Sequence, residues 1–477
     1  MERPNVLLIC VDHWPGNLLG CAGHPCILTP TLDQLAGCGV RFSNAYSAVP
    51  TCIPARRNLM TGASARTHGD RTFKETQEMP HLPTLGQCFA EAGYQTFAVG
   101  KLHVYPQRDH IGFHEVILNE EARHHLGMAA DDYELFLSDQ GHPGAWLASG
   151  VNVNAYIARP WHLTEGLHPT NWTVCEMCRA ICRRDPRKPG FWFLSFNHPH
   201  PPLTPPQCYL DMYREEDIPE PHVGEWAQEF GALPYALRAR RLPPLSLRAA
   251  RLARRGFYAL CTHIDHQIRL VIGTLREQKL LDHTAIVFVS DHGDMLGNHR
   301  QWAKALMYED SAKVPMILVP PAADARAGPG RVDARLVELV DVMPTLLDLA
   351  GIPIPPTCEG LSLLSDRQRP CLYGEHYEVP GVATRMVRDA RYKLIYYPAG
   401  NRVQLFDLQE DPHEMQDRAD NAALCDVRSG LTRELIANLY GDDLPWVDGD
   451  RLVGTPEPES GPAPDRALGT QRGWRFI

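Results

Sequence analysis

The chain has 477 residues, enough for two or three domains and for a large core that needs no disulfide staples. Hydrophobic residues make up 44% and charged residues 22%, which excludes a disordered chain, and a net charge of −10 argues against a dedicated nucleic-acid binder. No stretch approaches the ~18 consecutive apolar residues of a membrane helix, and the opening MERPNVLLICVD lacks the basic start, long apolar stretch and small-residue cleavage site of a leader. With 14 scattered cysteines, a cytoplasmic protein with mostly reduced thiols is expected, acting neither on nucleic acid nor at a membrane.

Val6 to Val11 is a continuous apolar run that predicts a strand buried on both faces, with Asp12 at its C-terminal end. Helices are expected over Thr31 to Gly39 and Thr84 to Ala92, then a strand over Tyr94 to Val99. Asn171 to Arg184 reads as a helix and Phe191 to Phe196 as a strand. Residues 203 to 247 are Pro-rich and suggest a long surface excursion. Arg248 to Gln278 reads as an interrupted helical stretch, Thr284 to Ser290 as a strand, and Arg331 to Ala350 as a helix closed by Gly351. This alternation predicts an α/β fold with a large mixed, mostly parallel sheet flanked by helices.

Composition changes between Pro353 and Pro370. Beyond it, Ala383 to Tyr397 and Asn401 to Leu408 alternate like antiparallel strands, and Ala419 to Leu439 reads as a helix. The expected division is a catalytic α/β domain over 1–365 and a smaller C-terminal α+β domain with an antiparallel sheet over 366–477, ending in a Pro- and Gly-rich tail from Val453 to Gly473.

In open α/β sheets, sites form beyond the C-terminal ends of strands. Here several strand ends each deliver polar groups: Asp12 and His13, Lys101 and His103, His198 and His200, Asp291 and His292. Asp12, Asp291 and His292 together suggest a divalent cation site, since carboxylates favour hard ions and an imidazole shifts the choice toward manganese or another transition metal.

The segment Thr51-Cys52-Ile53-Pro54-Ala55-Arg56 contains Cys-x-Pro-x-Arg, with Met60-Thr61-Gly62 just beyond. With Thr29 to Ala36, Gly39 to Tyr46, Gly100 to His103, Ser290 to His299, Lys304, Val314-Pro315, Arg391 to Lys393 and Leu405 to Glu414, it resembles the formylglycine-dependent sulfatases of the alkaline phosphatase superfamily, in order, over most of residues 4 to 440. The resemblance implies that Cys52 is converted to formylglycine by a maturation enzyme. One hydroxyl of its hydrate would attack sulfur, and the other would eliminate sulfate. It further implies that Asp12, Asp291, His292 and residue 52 ligate one divalent cation, calcium first, with manganese or magnesium as alternatives. Arg56 would stabilise the hydrate, and Lys101 and Lys304 would neutralise the sulfate oxygens. His103 would take the proton of the second hydroxyl, and His200 would contact sulfate and leaving oxygen; Lys304 or His200 would be the leaving-group acid. His198, two residues away, is a weaker candidate.

The chain departs from many sulfatases in having His13 after Asp12 rather than a second acid, so His13 is either a further ligand or a lining residue. It also lacks an Asn after His68-Gly69-Asp70. The expected activity is hydrolysis of a carbohydrate or aryl sulfate, the substrate being a sulfated small molecule or glycan. The alternative is a phosphonate monoester or phosphodiester hydrolase on the same scaffold, and a third reading is a non-enzymatic binding module. The leaving alcohol and the oligomeric state, including a homo-oligomer, are open. Cys175, Cys178 and Cys182 lack zinc-type partners and read as a buried helix face. The seven Arg from Arg238 to Arg255 read as a solvated helix face with local ion pairs, with a polyanion patch as the functional alternative.

Overall fold

The computed structural model describes residues 3–121, 123, 130–240 and 245–459. Its centre is an eight-stranded sheet of β1 (Asn5–Val11), β2 (Val40–Tyr46), β3 (Gln95–Gly100), β4 (Glu115–Leu118), β5 (Gly190–Ser195), β6 (Thr284–Ser290), β7 (Met316–Val319) and β8 (Arg331–Glu338), in the order β4-β3-β5-β1-β6-β7-β2-β8. Only β7 runs against its neighbours. The sheet is therefore mixed and mostly parallel.

Strand β1 shows why the core forms on both sides. Val6, Leu8 and Cys10 enter one apolar cluster and Leu7, Ile9 and Val11 the other, all fully buried. The first cluster is covered by α2 (Cys52–Thr61), α3 (Leu85–Glu91) and α6 (Val342–Leu349). The second is covered by α1 (Pro30–Cys38), α4 (Pro169–Arg183) and α5 (Leu247–Glu277). Helix α1 starts at Pro30, but its cap comes from α5: Asp265 accepts the backbone N–H of Thr31 at 3.0 Å and of Leu32 at 2.8 Å. That satisfies two donors that the first turn cannot satisfy itself.

A second sheet is antiparallel: β9 (Leu372–His376), β10 (Thr384–Arg388), β11 (Tyr392–Tyr397) and β12 (Arg402–Asp407). One face carries Met386, Ile395 and Phe406 against Met307 and Tyr308. The other carries Leu394 and Leu405 against Leu431 and Leu435 of α7 (Cys425–Asn438).

Several expectations change. Residues 331 to 350 are not one helix: β8 pairs parallel with β2, and the helix is confined to α6. Helix α5 runs unbroken for 31 residues. The Pro-rich excursion is less superficial than expected, because Leu203, Tyr209, Tyr213 and Ile218 join the core beside α5. The cysteine triplet is not a buried face: Cys175 and Cys182 are exposed and only Cys178 is half-buried, while Trp172, Met177 and Ile181 turn inward. The Arg run is in part the solvated, ion-paired face expected, with Arg248 and Arg251 exposed, and in part tied down. Arg254 donates to the Leu296 carbonyl, Arg240 to the carbonyls of Trp302, Lys304 and Ala305, Arg251 to Glu220, and Arg255 to the Arg214 carbonyl; Arg241 lies outside the described residues, as does the tail beyond 459. Among the described residues no helix is long and apolar enough to cross a membrane, and all 14 cysteines are unpaired.

Candidate active site

Four adjacent parallel strands end at one level. Cys10 is in register with Ser195, Val11 with Ser290, and Gly100 with Ser195. The next residues of each chain segment therefore meet at one rim: Asp12 and His13 after β1, Asp291 and His292 after β6, Asn197 to His200 after β5, Lys101 to His103 after β3. Gly100 makes the last turn feasible. Its φ is +104°, and a Cβ there would sit 1.7 Å from the Ser195 carbonyl oxygen. His13 and His103 also hold left-handed backbone, φ 71° and 61°, strain of a kind that collects at functional sites. His103 is held there by Glu120, whose carboxylate accepts the N–H of Leu102 at 2.9 Å and of His103 at 2.7 Å.

Residue 52 arrives from the other side. Thr51 is extended, Pro54 is tolerated in the first turn, and Gly62 closes α2 with φ 64°. All ten residues of α2 are buried. Cys52 thus sits at the positive end of the helix dipole, where negative charge is favoured. Its Sγ lies 3.6 and 3.9 Å from the Asp12 carboxylate oxygens, 3.3 Å from His292 Nε2 and 2.6 Å from Lys304 Nζ.

The donor set around Sγ suits a divalent cation. Ligand atoms of Asp12, His13, Cys52 and His292 all lie within 4.8 Å of one another. Asp291 is at hand, its Oδ1 3.5 Å from His292 Nε2, but its Oδ2 accepts Arg56 Nε at 2.9 Å. His292 Nδ1 donates to the Gly293 carbonyl at 2.9 Å, which turns the Nε2 lone pair inward. His13 Nδ1 bonds Asp294 at 2.7 Å, and its Nε2 accepts Lys304 Nζ at 2.7 Å. Outer hydrogen bonds of this kind fix a metal-ligating imidazole.

The charges are strongly coupled. Burial alone would raise the Asp12 carboxyl, but Lys101, then Lys304, hold it well below the carboxylate range. Asp291 is pushed up to about 7 by burial and by Asp12. Two buried carboxylates that oppose each other's ionisation are a site short of positive charge. Burial, followed by Lys304, keeps His13 and His292 neutral, as ligands must be. The Cys52 thiol is pushed up to about 12 by burial and then by Asp12.

Arg56 is buried and donates to Asp291, to the Lys101 carbonyl at 2.8 Å and to Ser195 Oγ at 2.8 Å. Its Nη2 has no protein partner among the described residues, and neither ring nitrogen of buried His103 has one. Three orphaned polar atoms at one site are room for oxygen-bearing groups. His200 Nδ1 donates to the Pro201 carbonyl at 2.6 Å, and its ring lies 4.3 Å from that of His13. His198 turns elsewhere, its ring 5.0 Å from that of His168, because the chain leaves the strand in a turn after Ser195.

Sequence reasoning passed over Glu120, Ser195 and Glu121. Asp294 and Tyr156, which pair with each other beside His13, were likewise unassigned. Asp294 stood inside the Ser290 to His299 motif; the others carry no local signal. A second cluster, His222, His299 and Asp310, also brings its ligand atoms within 4.8 Å. There His299 Nδ1 accepts the Gly224 N–H and Asn298 binds Asp310, so the cluster is a hydrogen-bonded junction.

The chain that carries this rim is similar to known proteins. The sequence profile of the sulfatase family matches residues 4–352, and that of the N-sulphoglucosamine sulphohydrolase C-terminal region matches 297–439. The chain belongs to the sulfatase family. The arylsulfatase of Clostridium perfringens is 37% identical over 469 residues, covering 94% of this sulfatase and 97% of its own chain. The choline-sulfatase of Rhizobium meliloti is 29% identical over 88% and 83%. In fold, the sulfatase superposes on a phosphonate monoester hydrolase of Agrobacterium radiobacter with a TM-score of 0.79 at 24% identity, over 91% and 95% of the two chains. The protein is accordingly an enzyme that hydrolyses sulfate esters.

Proposed function

We propose that the sulfatase releases sulfate from a sulfated carbohydrate or aryl alcohol, with an attacking oxygen that belongs to formylglycine hydrate derived from Cys52. The observation that carries this reading is the setting of Cys52, wedged between Asp12, His292 and Lys304 on the first turn of α2. As a thiol raised to about 12 by burial it stays protonated near neutral pH and is a weak nucleophile. A hydrated aldehyde there would supply an oxygen nucleophile and a second hydroxyl for releasing sulfate, and installing it requires a formylglycine-generating maturation enzyme.

Asp12, Asp291, His292, residue 52 and His13 would hold one divalent cation, which supplies charge neutralisation at the sulfate oxygens. The carboxylates favour calcium, and the imidazoles make manganese the next choice and magnesium the third. Arg56 anchors Asp291 through Nε, while its Nη2 has no protein partner among the described residues; guanidinium stays charged throughout. Lys101 and Lys304 neutralise the sulfate oxygens. His103 is buried and neutral, its nitrogens without partners among the described residues, and takes a proton from residue 52. His200 donates its only proton to a backbone carbonyl and is held neutral by burial, so it orients the ester. The proton for the leaving oxygen then falls to Lys304. His198 has no role in this scheme.

The catalytic unit is read as 1–365 and the smaller unit as 366–477. The unpaired cysteines fit a reducing compartment such as the cytoplasm. A second reading, phosphonate monoester or phosphodiester hydrolysis, is favoured by His13 standing where a second acid would add negative charge. Enzyme co-expressed with a maturation enzyme, loaded with calcium or manganese, should turn over 4-nitrophenyl sulfate faster than 4-nitrophenyl phenylphosphonate; the reverse order selects the second reading.

A further inference from the structure

We propose that Glu121 sets the charge selectivity of the site, admitting singly charged esters and disfavouring doubly charged ones. This rests on the sulfate-ester reading above. Glu121 follows β4 at the sheet edge, and its carboxylate touches Lys101 Nζ and lies 3.8 Å from His200 Nε2. Both are groups assigned to the ester.

Lys101 already has a counterion, since its ammonium also contacts Asp12. Glu121 is therefore a second carboxylate on one ammonium, and it makes the cradle less cationic. Asp12 is fully buried, whereas the Glu121 side chain is 20% exposed. Burial would raise the Glu121 carboxyl, but the Lys101 ammonium holds it well below the carboxylate range, so the charge is present at working pH.

Sulfate and phosphate esters present tetrahedral groups of nearly the same size, so shape alone separates them poorly. Charge separates them well. A sulfate monoester carries one negative charge, and a phosphate monoester carries nearly two above its second pKa of about 6. A fixed carboxylate one side chain away repels the second charge, and in a partly exposed site one unit charge at a few ångströms is worth on the order of tenfold to a hundredfold. The feature works by rejecting the wrong ligand.

The test uses metal-loaded, matured enzyme: wild type, Glu121→Gln, Glu121→Ala and Glu121→Asp. The kcat/KM values for 4-nitrophenyl sulfate, 4-nitrophenyl phosphate and 4-nitrophenyl phenylphosphonate are measured at about pH 8. The sulfate-to-phosphate ratio should fall tenfold to a hundredfold in both neutral variants and stay near wild type in Glu121→Asp. The sulfate-to-phosphonate ratio, which compares two monoanions, should not move. Two neutral variants keep the test open should one fail to fold. A sulfate-to-phosphate ratio unchanged within twofold, or a phosphonate ratio that shifts in step with it, overturns the proposal. Wild type with no sulfate turnover defeats the sulfate-ester reading instead, a distinguishable result.

Discussion

Replacing Lys304 with Met should separate two roles of one ammonium. Lys304 Nζ donates to Cys52 Sγ at 2.6 Å and to His13 Nε2 at 2.7 Å, in a buried site where the charge is already positioned. Its electrostatic role acts on every substrate; loss of one preorganised donor costs about 10²–10³ in kcat, or about 3–4 kcal/mol. Its acid role acts only when the leaving oxygen needs a proton, and is worth about 10²–10⁴. Lys304→Met should therefore slow hydrolysis of an acidic phenol's sulfate by 10²–10³, and that of an unactivated alkyl or sugar sulfate by roughly a further hundredfold or more. The assay is a series of sulfate esters with graded leaving-group pKa, with log kcat/KM plotted against that pKa. A steeper slope in the variant is expected. Parallel lines would refute Lys304 as the acid and return that role to His200.

Two further outcomes are expected. Asp265→Ala removes the cap that α5 lends to α1 and strands two buried N–H groups, costing about 2–3 kcal/mol by urea unfolding with kcat unchanged. Burial raises the Asp265 carboxyl to about 6, above its unfolded value, so the native state binds the extra proton; wild type should gain on the alanine variant as pH falls from 7 toward 4 and lose that advantage as pH rises through 6. Chelation should abolish turnover and lower the melting temperature, and calcium or manganese at about 100 times its dissociation constant should restore about 2.7 kcal/mol of stability.

The sheet was legible where strands are buried on both faces. Val6 to Val11 and Thr284 to Ser290 announce themselves by unbroken apolar runs, and the polar residue that ends each run lies at the rim. Strand β8 was not legible. Arg331 to Glu338 flanks the sheet with exposed Arg331 and Val332, and the apolar residues that follow continue a helical spacing into α6. Helix α2 was hidden because Pro54 and the motif residues break the usual amphipathic pattern, and all its faces are buried. At the site, the residues on the four strand ends could be named from their positions. Glu121 could not, because its importance depends on β4 pairing with β3, which carries Lys101 alongside it. Asp265 escaped for the same reason: it caps a helix more than 230 residues away in sequence.

The most direct measurement weighs the tryptic peptide that contains residue 52 while turnover is assayed on the same preparations. These are made with graded amounts of the maturation enzyme. Turnover should rise in proportion to the fraction of peptide carrying the aldehyde mass and vanish as that fraction approaches zero. Full turnover by protein in which residue 52 is entirely thiol would contradict the assignment of the attacking oxygen.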